Sequence, residues 1–228
     1  MTAAGASGPI DLTLAPEMAD RARLGLAVVE GVTVREADRE LAAEIAAYAD
    51  GLRRLYPDAR SAEVPGAAEA RTLYKDLGLD PTKVRPSSEA LLRRVLKGEA
   101  LYVVNTLVDS VNYCSLRAQL PFGLYDRAHV VPPVVLRLGR PGELYEGIRK
   151  GPVNVEGRPT LADAEGAFGN PTSDSARTCV RAETRDVLVT VYAPAHAVTP
   201  RLTRVLDDTA ATLTRHCGGL EAARRLLG

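Results

Sequence analysis

Tryptophan is absent from the 228-residue chain and phenylalanine occurs only twice. Broad aromatic platforms for stacking single-stranded bases are therefore not expected, although eight tyrosines remain. Cysteine is also scarce. Cys114, Cys179 and Cys217 are odd in number, widely spaced and form no C-x-x-C unit, which fits a reducing cytoplasm. Each sits in an apolar pattern, the usual setting of a structural rather than a nucleophilic thiol. No apolar run approaches the roughly 18 residues that cross a bilayer, so no membrane partner is expected. Met1 to Pro9 lack the basic start and apolar block of a signal peptide and are expected to be a disordered tail.

Neither sign of charge is in excess: 29 basic residues meet 29 acidic ones. That balance argues against a strongly basic nucleic-acid binder, unless the cations are segregated on one face. Histidine is sparse. His129, His196 and His216 are isolated, and the adjacent His216-Cys217 pair is a poor chelate, so no metal is expected. A P-loop, a G-x-S-x-G elbow and a dinucleotide fingerprint are all missing, so no cofactor is expected either.

What is present is an ordinary globular composition, 46% hydrophobic and 25% charged, on a chain long enough to bury a core. Ile10 to Leu14 and the Val-rich Leu24 to Val34 read as strands. Glu36 to Tyr56 carries apolar residues at helical spacing and stops at Pro57. Further helices are expected over Ala67 to Leu77, from Ser87 or Ser88 as N-cap to Gly98, and over Leu101 to Arg117. Pro121 to Asp126 reads as a turn. After residue 130 the pattern becomes strand-like: Val130 to Leu138, Leu144 to Ile148, then a hairpin of Arg177 to Ala182 with Asp186 to Tyr192. Gly151 to Pro171 is rich in Gly, Pro and Asn. Helices over Thr199 to Cys217 and Leu220 to Leu227 are expected to close the chain. The order argues for one α+β domain over residues 10–228, with helices packed on a mixed or antiparallel sheet.

Two segments stand out. In Leu101 to Leu116, Asn105, Asp109 and Asn112 fall at i, i+4 and i+7, opposite an apolar stripe. An exposed face is normally filled with Lys, Glu and Arg, yet Asp109 is the only charge in the stretch, so the stripe suggests either a buried polar network or a site lining. The second segment, Phe168 to Thr178, is a turn-rich loop offering small hydroxyls and backbone N–H groups, with Arg177 beside it to meet an anion.

Asn105-Thr-Leu-Val-Asp109-Ser-Val-Asn112-Tyr113, followed by Leu120-Pro121-Phe-Gly123-Leu-Tyr125-Asp126, resembles the editing domain of the phenylalanyl-tRNA synthetase beta subunit. That family shows an Asn-x-x-x-Asp-x-x-Asn-Tyr helix and a Gln-Pro-Leu-His-Ala-Phe-Asp turn. The chain is more similar still to free-standing proteins built on the same domain, through the Arg85 to Ala90 start and the Gly169 to Ser175 loop. The resemblance runs from about residue 81 to 193. It implies an α+β editing domain that hydrolyses the ester of a misacylated tRNA, with the acceptor end of tRNA, not DNA, as partner. The family's turn His falls at Gly123 and its tyrosine-reading Glu at Thr190, so the synthetase's tyrosine specificity is not implied.

Under this resemblance Asn105 and Asp109 would orient a water or the substrate ammonium, with Asp174 as an alternative ammonium partner. The backbone N–H groups from Gly169 through Asn170 to Ser173 would hold the carbonyl oxygen. Asn112, Tyr125, Thr172, Arg177 and Thr190 would shape the substrate pocket, and Arg85, Arg93, Arg94 and Lys97 would face the tRNA. A non-catalytic tRNA- or protein-binding module and a small-molecule amino-acid ester or amide hydrolase remain open beside the deacylase.

Overall fold

The computed structural model describes residues 10–149 and 151–228, so the expected tail lies outside the described residues. Along the chain the elements are β1 (Leu12–Leu14), β2 (Ala22–Glu30), α1 (Arg39–Leu55), α2 (Pro65–Asp76), α3 (Ser87–Leu96), α4 (Thr106–Ala118), β3 (Phe122–Asp126), β4 (Val134–Leu138), β5 (Leu144–Gly147), β6 (Gly151–Asn154), β7 (Pro159–Asp163), β8 (Gly166–Gly169), β9 (Val187–Pro194), α5 (Thr199–Cys217) and β10 (Leu220–Leu227).

β9 is buried along all eight residues, because apolar layers cover both faces of its sheet. It pairs antiparallel with β2 on one side and β3 on the other, and β10 closes the far edge of β2, giving the order β10-β2-β9-β3. One face of this sheet carries Ala27, Val191 and Ala193 against Leu202 and Leu206 of α5, and Val29, Val187 and Val189 against Leu107 and Val111 of α4 and Leu213 of α5. The other face carries Leu24, Leu26, Val28, Tyr125, Leu188 and Tyr192. It meets Leu73 and Tyr74 of α2 and a second sheet of order β1-β4-β7-β8, through Leu12, Leu136, Leu161 and Phe168. The layers are thus helices, central sheet, then second sheet with α2: an α+β fold with antiparallel pairing dominant and one parallel pair, β1 with β4. β5 and β6 form a separate hairpin.

Several expectations need correction. Leu220–Leu227 is a strand, although its Leu, Glu, Ala and Arg residues favour a helix. Tertiary pairing overrides propensity here, because the outer edge of β2 would otherwise carry unpaired backbone groups beside the core. Gly218 and Gly219, at φ +71 and +82, turn the chain straight back from α5. Pro121 to Asp126 is largely strand β3 rather than a turn. Arg177 to Ala182 is not a strand, since both flanks of β9 are already occupied and local side chains take its amides (Thr178 N to Ser175 Oγ, Arg181 N to Thr184 Oγ1). The glycine-rich stretch after 151 supplies three strands that its composition concealed. α4 begins five residues later than expected, at Thr106, because Asn105 caps it. Neither Ser87 nor Ser88 caps α3, whose N-cap is Pro86. No helix among the described residues is long and apolar enough to cross a membrane.

Candidate functional site

The loop that follows β8 is organised by its own asparagine. Asn170 Oδ1 accepts from the amides of Thr172 (2.8 Å) and Ser173 (2.9 Å), while its backbone N donates to Ser173 O (2.9 Å). Its Nδ2 donates to Tyr145 Oη (3.0 Å), which in turn donates to Ser173 O (2.6 Å). Two helices grip the same loop: Tyr74 of α2 and Ser87 of α3 both donate to the Pro171 carbonyl, at 2.8 and 3.1 Å. Beneath the loop lies a cleft of about 240 Å³, lined by Ser87, Asn112, Phe122, Ile148, Asn170, Pro171, Thr172, Ser173 and Asp174.

Asp174 stands among buried tyrosines. Burial pushes the Tyr125, Tyr145 and Tyr192 phenols well up, and the Asp174 carboxylate pushes each further. Burial likewise pushes Tyr74 up to about 12. These phenols therefore stay protonated at neutral pH and act as hydrogen-bond donors, not as bases. Tyr125 packs edge-on against Phe168, with ring centroids 4.9 Å apart, and its Oη lies 3.4 Å from Tyr192 Oη. Its ring lies across two glycines. A Cβ at Gly123 would stand 2.2 Å from Tyr125 Oη, and one at Gly169 would stand 2.4 Å from it. The phenol occupies the space that a side chain at position 123 would need.

The residues expected to act fall into separate places. Asn112, Asn170, Thr172, Ser173 and Asp174 line the loop cleft, whereas Gly169 does not line it and packs against Tyr125. Asn105 and Asp109 line no part of it. Asn105 Oδ1 accepts from Val108 N (2.9 Å), and Asp109 Oδ1 accepts from Val104 N (3.0 Å), so both side chains hold the entry into α4. Asp109 borders a different groove of about 320 Å³ beside α1, where burial raises its carboxyl. The expected stripe breaks because Asn105 precedes the helix instead of lying within it.

Tyr125 and Thr190 are fully buried beneath the cleft and do not line it. Arg177 is held by Asp163 (2.9 and 3.0 Å), Glu165 (3.1 Å) and the His129 carbonyl (2.9 Å), so it does not face the loop as an anion receptor. The carbonyl-holding role of the loop amides also needs correction: those of Asn170, Thr172 and Ser173 are engaged within the loop, and Pro171 has none. Arg85, Arg93 and Lys97 meet in one cleft, whereas Arg94 turns away to Glu99 (2.8 Å) and the Tyr102 ring (4.0 Å).

The sequence reading missed Phe122 and Ile148 as walls, Ser87 as a lining residue, and Tyr74, Tyr145 and Tyr192 as loop supports. The tyrosines lie 47 to 118 positions apart in pairs such as Tyr145–Tyr192 and Tyr74–Tyr192, a separation that carries no local signal. Ser87 and Ile148 had signals only through their neighbours, the α3 start and the end of β5.

An α+β core presenting a polar loop cleft defines the class. The B3/4 domain family matches residues 69–216, well over half the chain, and the chain belongs to that family. Among solved structures it is similar to an N-terminal fragment of the phenylalanyl-tRNA synthetase beta-subunit from Pyrococcus horikoshii, at 13% identity and a TM-score of 0.48, covering 97% of this chain. The chain spans about half, 51%, of that fragment. No curated protein matches it in sequence.

Proposed function

We propose that this B3/4 protein is a trans-acting editing hydrolase that cleaves the ester of misacylated tRNA. The observation that supports the reading is the loop cleft. It gathers a carboxylate, two carboxamides and three hydroxyls between the apolar walls Phe122 and Ile148, in a volume suited to an aminoacyl group. Family membership and the motif resemblance point to the same substrate class.

Asp174, steadied by protonated phenols, receives the substrate's α-ammonium. Asn112 and the Thr172 and Ser173 hydroxyls orient water toward the carbonyl carbon and donate to the developing oxyanion. Water adds to that carbon, the bond to the ribose oxygen breaks, and the water proton passes to that oxygen, leaving a free amino acid and tRNA. Asn105 and Asp109 act at one remove, by fixing the start of the helix that carries Asn112. Phe122 and Ile148 flank the amino-acid side chain.

The test is a deacylation screen over correctly and incorrectly charged tRNAs. We expect selective loss of one mischarged species. Asp174→Asn and Asn112→Ala should each lower the rate roughly 10²-fold, the scale of losing one positioned polar contact in a transition state. Folded protein inactive across a broad panel sinks the reading. Equal cleavage of free amino-acid esters would instead make the chain a small-molecule hydrolase.

A further inference from the structure

A second cleft, of about 510 Å³, opens between α2, α3 and the segment before α2. Arg60, Arg71, Arg85, Arg93 and Lys97 line it, against a single lining carboxylate, Glu89. The chain as a whole has no net charge, so the cleft is a marked segregation of cations, although Arg60 is tied to Glu63 (Nε to Oε1, 2.7 Å).

The cluster is built rather than incidental. Glu89 is only 2% exposed and is ringed by donors: Arg71 Nη1 at 2.8 and 3.1 Å, Ser61 Oγ at 3.1 Å and Arg85 Nε at 3.6 Å. It locks the Arg71 guanidinium through one nitrogen, leaving Nη2 and Nε without a protein acceptor among the described residues. Arg93 in the last turn of α3 and Lys97, its C-cap four residues on, have neither a hydrogen-bond nor an ion-pair partner for their side chains among the described residues. Like charges at that spacing repel. The α3 dipole favours cations in its last turn, but it does not account for Arg60 and Arg85, which reach the same cleft from outside the helix.

Both clefts draw on the start of α3, although they share no lining residue. Ser87, the first residue of α3, lines the loop cleft and bonds Pro171, while Arg85 and Glu89 on either side of it line the basic cleft.

We propose that this cleft is a phosphate-binding site that takes the phosphodiester backbone of RNA next to the aminoacyl end. Arg93, Lys97 and the locked Arg71 are the direct contacts, and Glu89 is a positioning residue. The identity of the RNA rests on the function proposed above; the phosphate chemistry does not. The test uses an uncharged RNA minihelix ending in CCA, so it is independent of catalysis, with inorganic pyrophosphate as a second probe.

Binding of the full chain is followed by fluorescence anisotropy across a salt series, for wild type and for the exposed double variant Arg93→Glu/Lys97→Glu. We expect the variant to lose at least roughly tenfold in affinity, and its log–log salt slope to fall by about 1.5, as for two lost phosphate contacts. Pyrophosphate should compete in the wild type. Stabilisation by pyrophosphate that the double variant abolishes, with no minihelix binding, keeps the phosphate site and assigns it to a free phosphate-bearing ligand. Unchanged affinity and slope in the variant, or no response of the wild type to either probe, overturns the proposal. Minihelix binding lost in the variant while wild type deacylates nothing keeps the cleft and removes the editing reading.

Discussion

At the residue scale, two positions show how closely single groups are set. Tyr125 Oη occupies the space above Gly123. Gly123→Ala is therefore expected to lose about 1–3 kcal/mol through overpacking, measurable by denaturant unfolding. Had position 123 stood in an open turn, as its sequence context suggests, alanine would be tolerated. The second position is Glu143, which meets Arg137 through two contacts of 2.7 Å and accepts from Arg140 N. The Arg137 guanidinium lowers its carboxyl from 4.5 to about 2. A depressed carboxyl stabilises the fold above its unfolded value and loses that contribution as pH falls through the folded value. Glu143→Gln is thus expected to cost on the order of 2 kcal/mol at neutral pH. It should also flatten the loss of stability between pH 4.5 and 2. An unchanged acid-unfolding profile would remove the pair from the account.

At the element scale, β10 is the informative case. Its residues are good helix formers, yet it runs as a strand along β2 from Leu220↔Glu30 to Leu227↔Leu24, with a bulge between Glu221 and Ala223. Deleting residues 220–228 uncovers one edge of β2 and leaves β9 on the other. Hydrogen exchange should then accelerate at the β2 amides that face β10, while those facing β9 keep their protection. If Leu220–Leu227 were a docked helix, the deletion would leave both sets protected. α4 makes the complementary point. Its N-terminus is set by Asn105 and Asp109 accepting from backbone amides, so residues chosen for chemistry serve to position the helix bearing Asn112.

At the scale of the whole molecule, the loop cleft depends on elements far apart in the chain. α2 supplies Tyr74, α3 supplies Ser87 and the β5–β6 hairpin supplies Tyr145, all bonded to loop residues 171–173. Tyr74 and Ser87 share the carbonyl of buried Pro171. Tyr74→Phe and Ser87→Ala should each cost about 1 kcal/mol. The double variant should cost more than their sum, because the carbonyl then loses both donors. A double-mutant cycle in urea measures the difference, and strict additivity would show that the two helices do not cooperate in holding the loop.

Local pattern was enough to read α1, α2, α3 and α5, the strands β2, β4, β5 and most of β9, and the α+β class, because 3.6-residue spacing and runs of branched residues express burial directly. That Asn112 and the loop after Gly169 stand out from an ordinary solvated surface was also legible, and the structure brings Asn112 and Asn170 to Asp174 to one cleft. What remained hidden is what depends on a partner distant in sequence. β10 is a strand only because β2 offers it an edge, and Asn105 caps a helix whose start propensity alone does not place. Arg177 is withdrawn from the loop by Asp163 and Glu165, and Arg94 from the basic cleft by Glu99 and Tyr102. The amino-acid sequence by itself determined which residue types and elements the molecule would contain. The tertiary structure alone decided which of them face one another, because ion pairs, shared carbonyls and sheet edges are settled by distance in space.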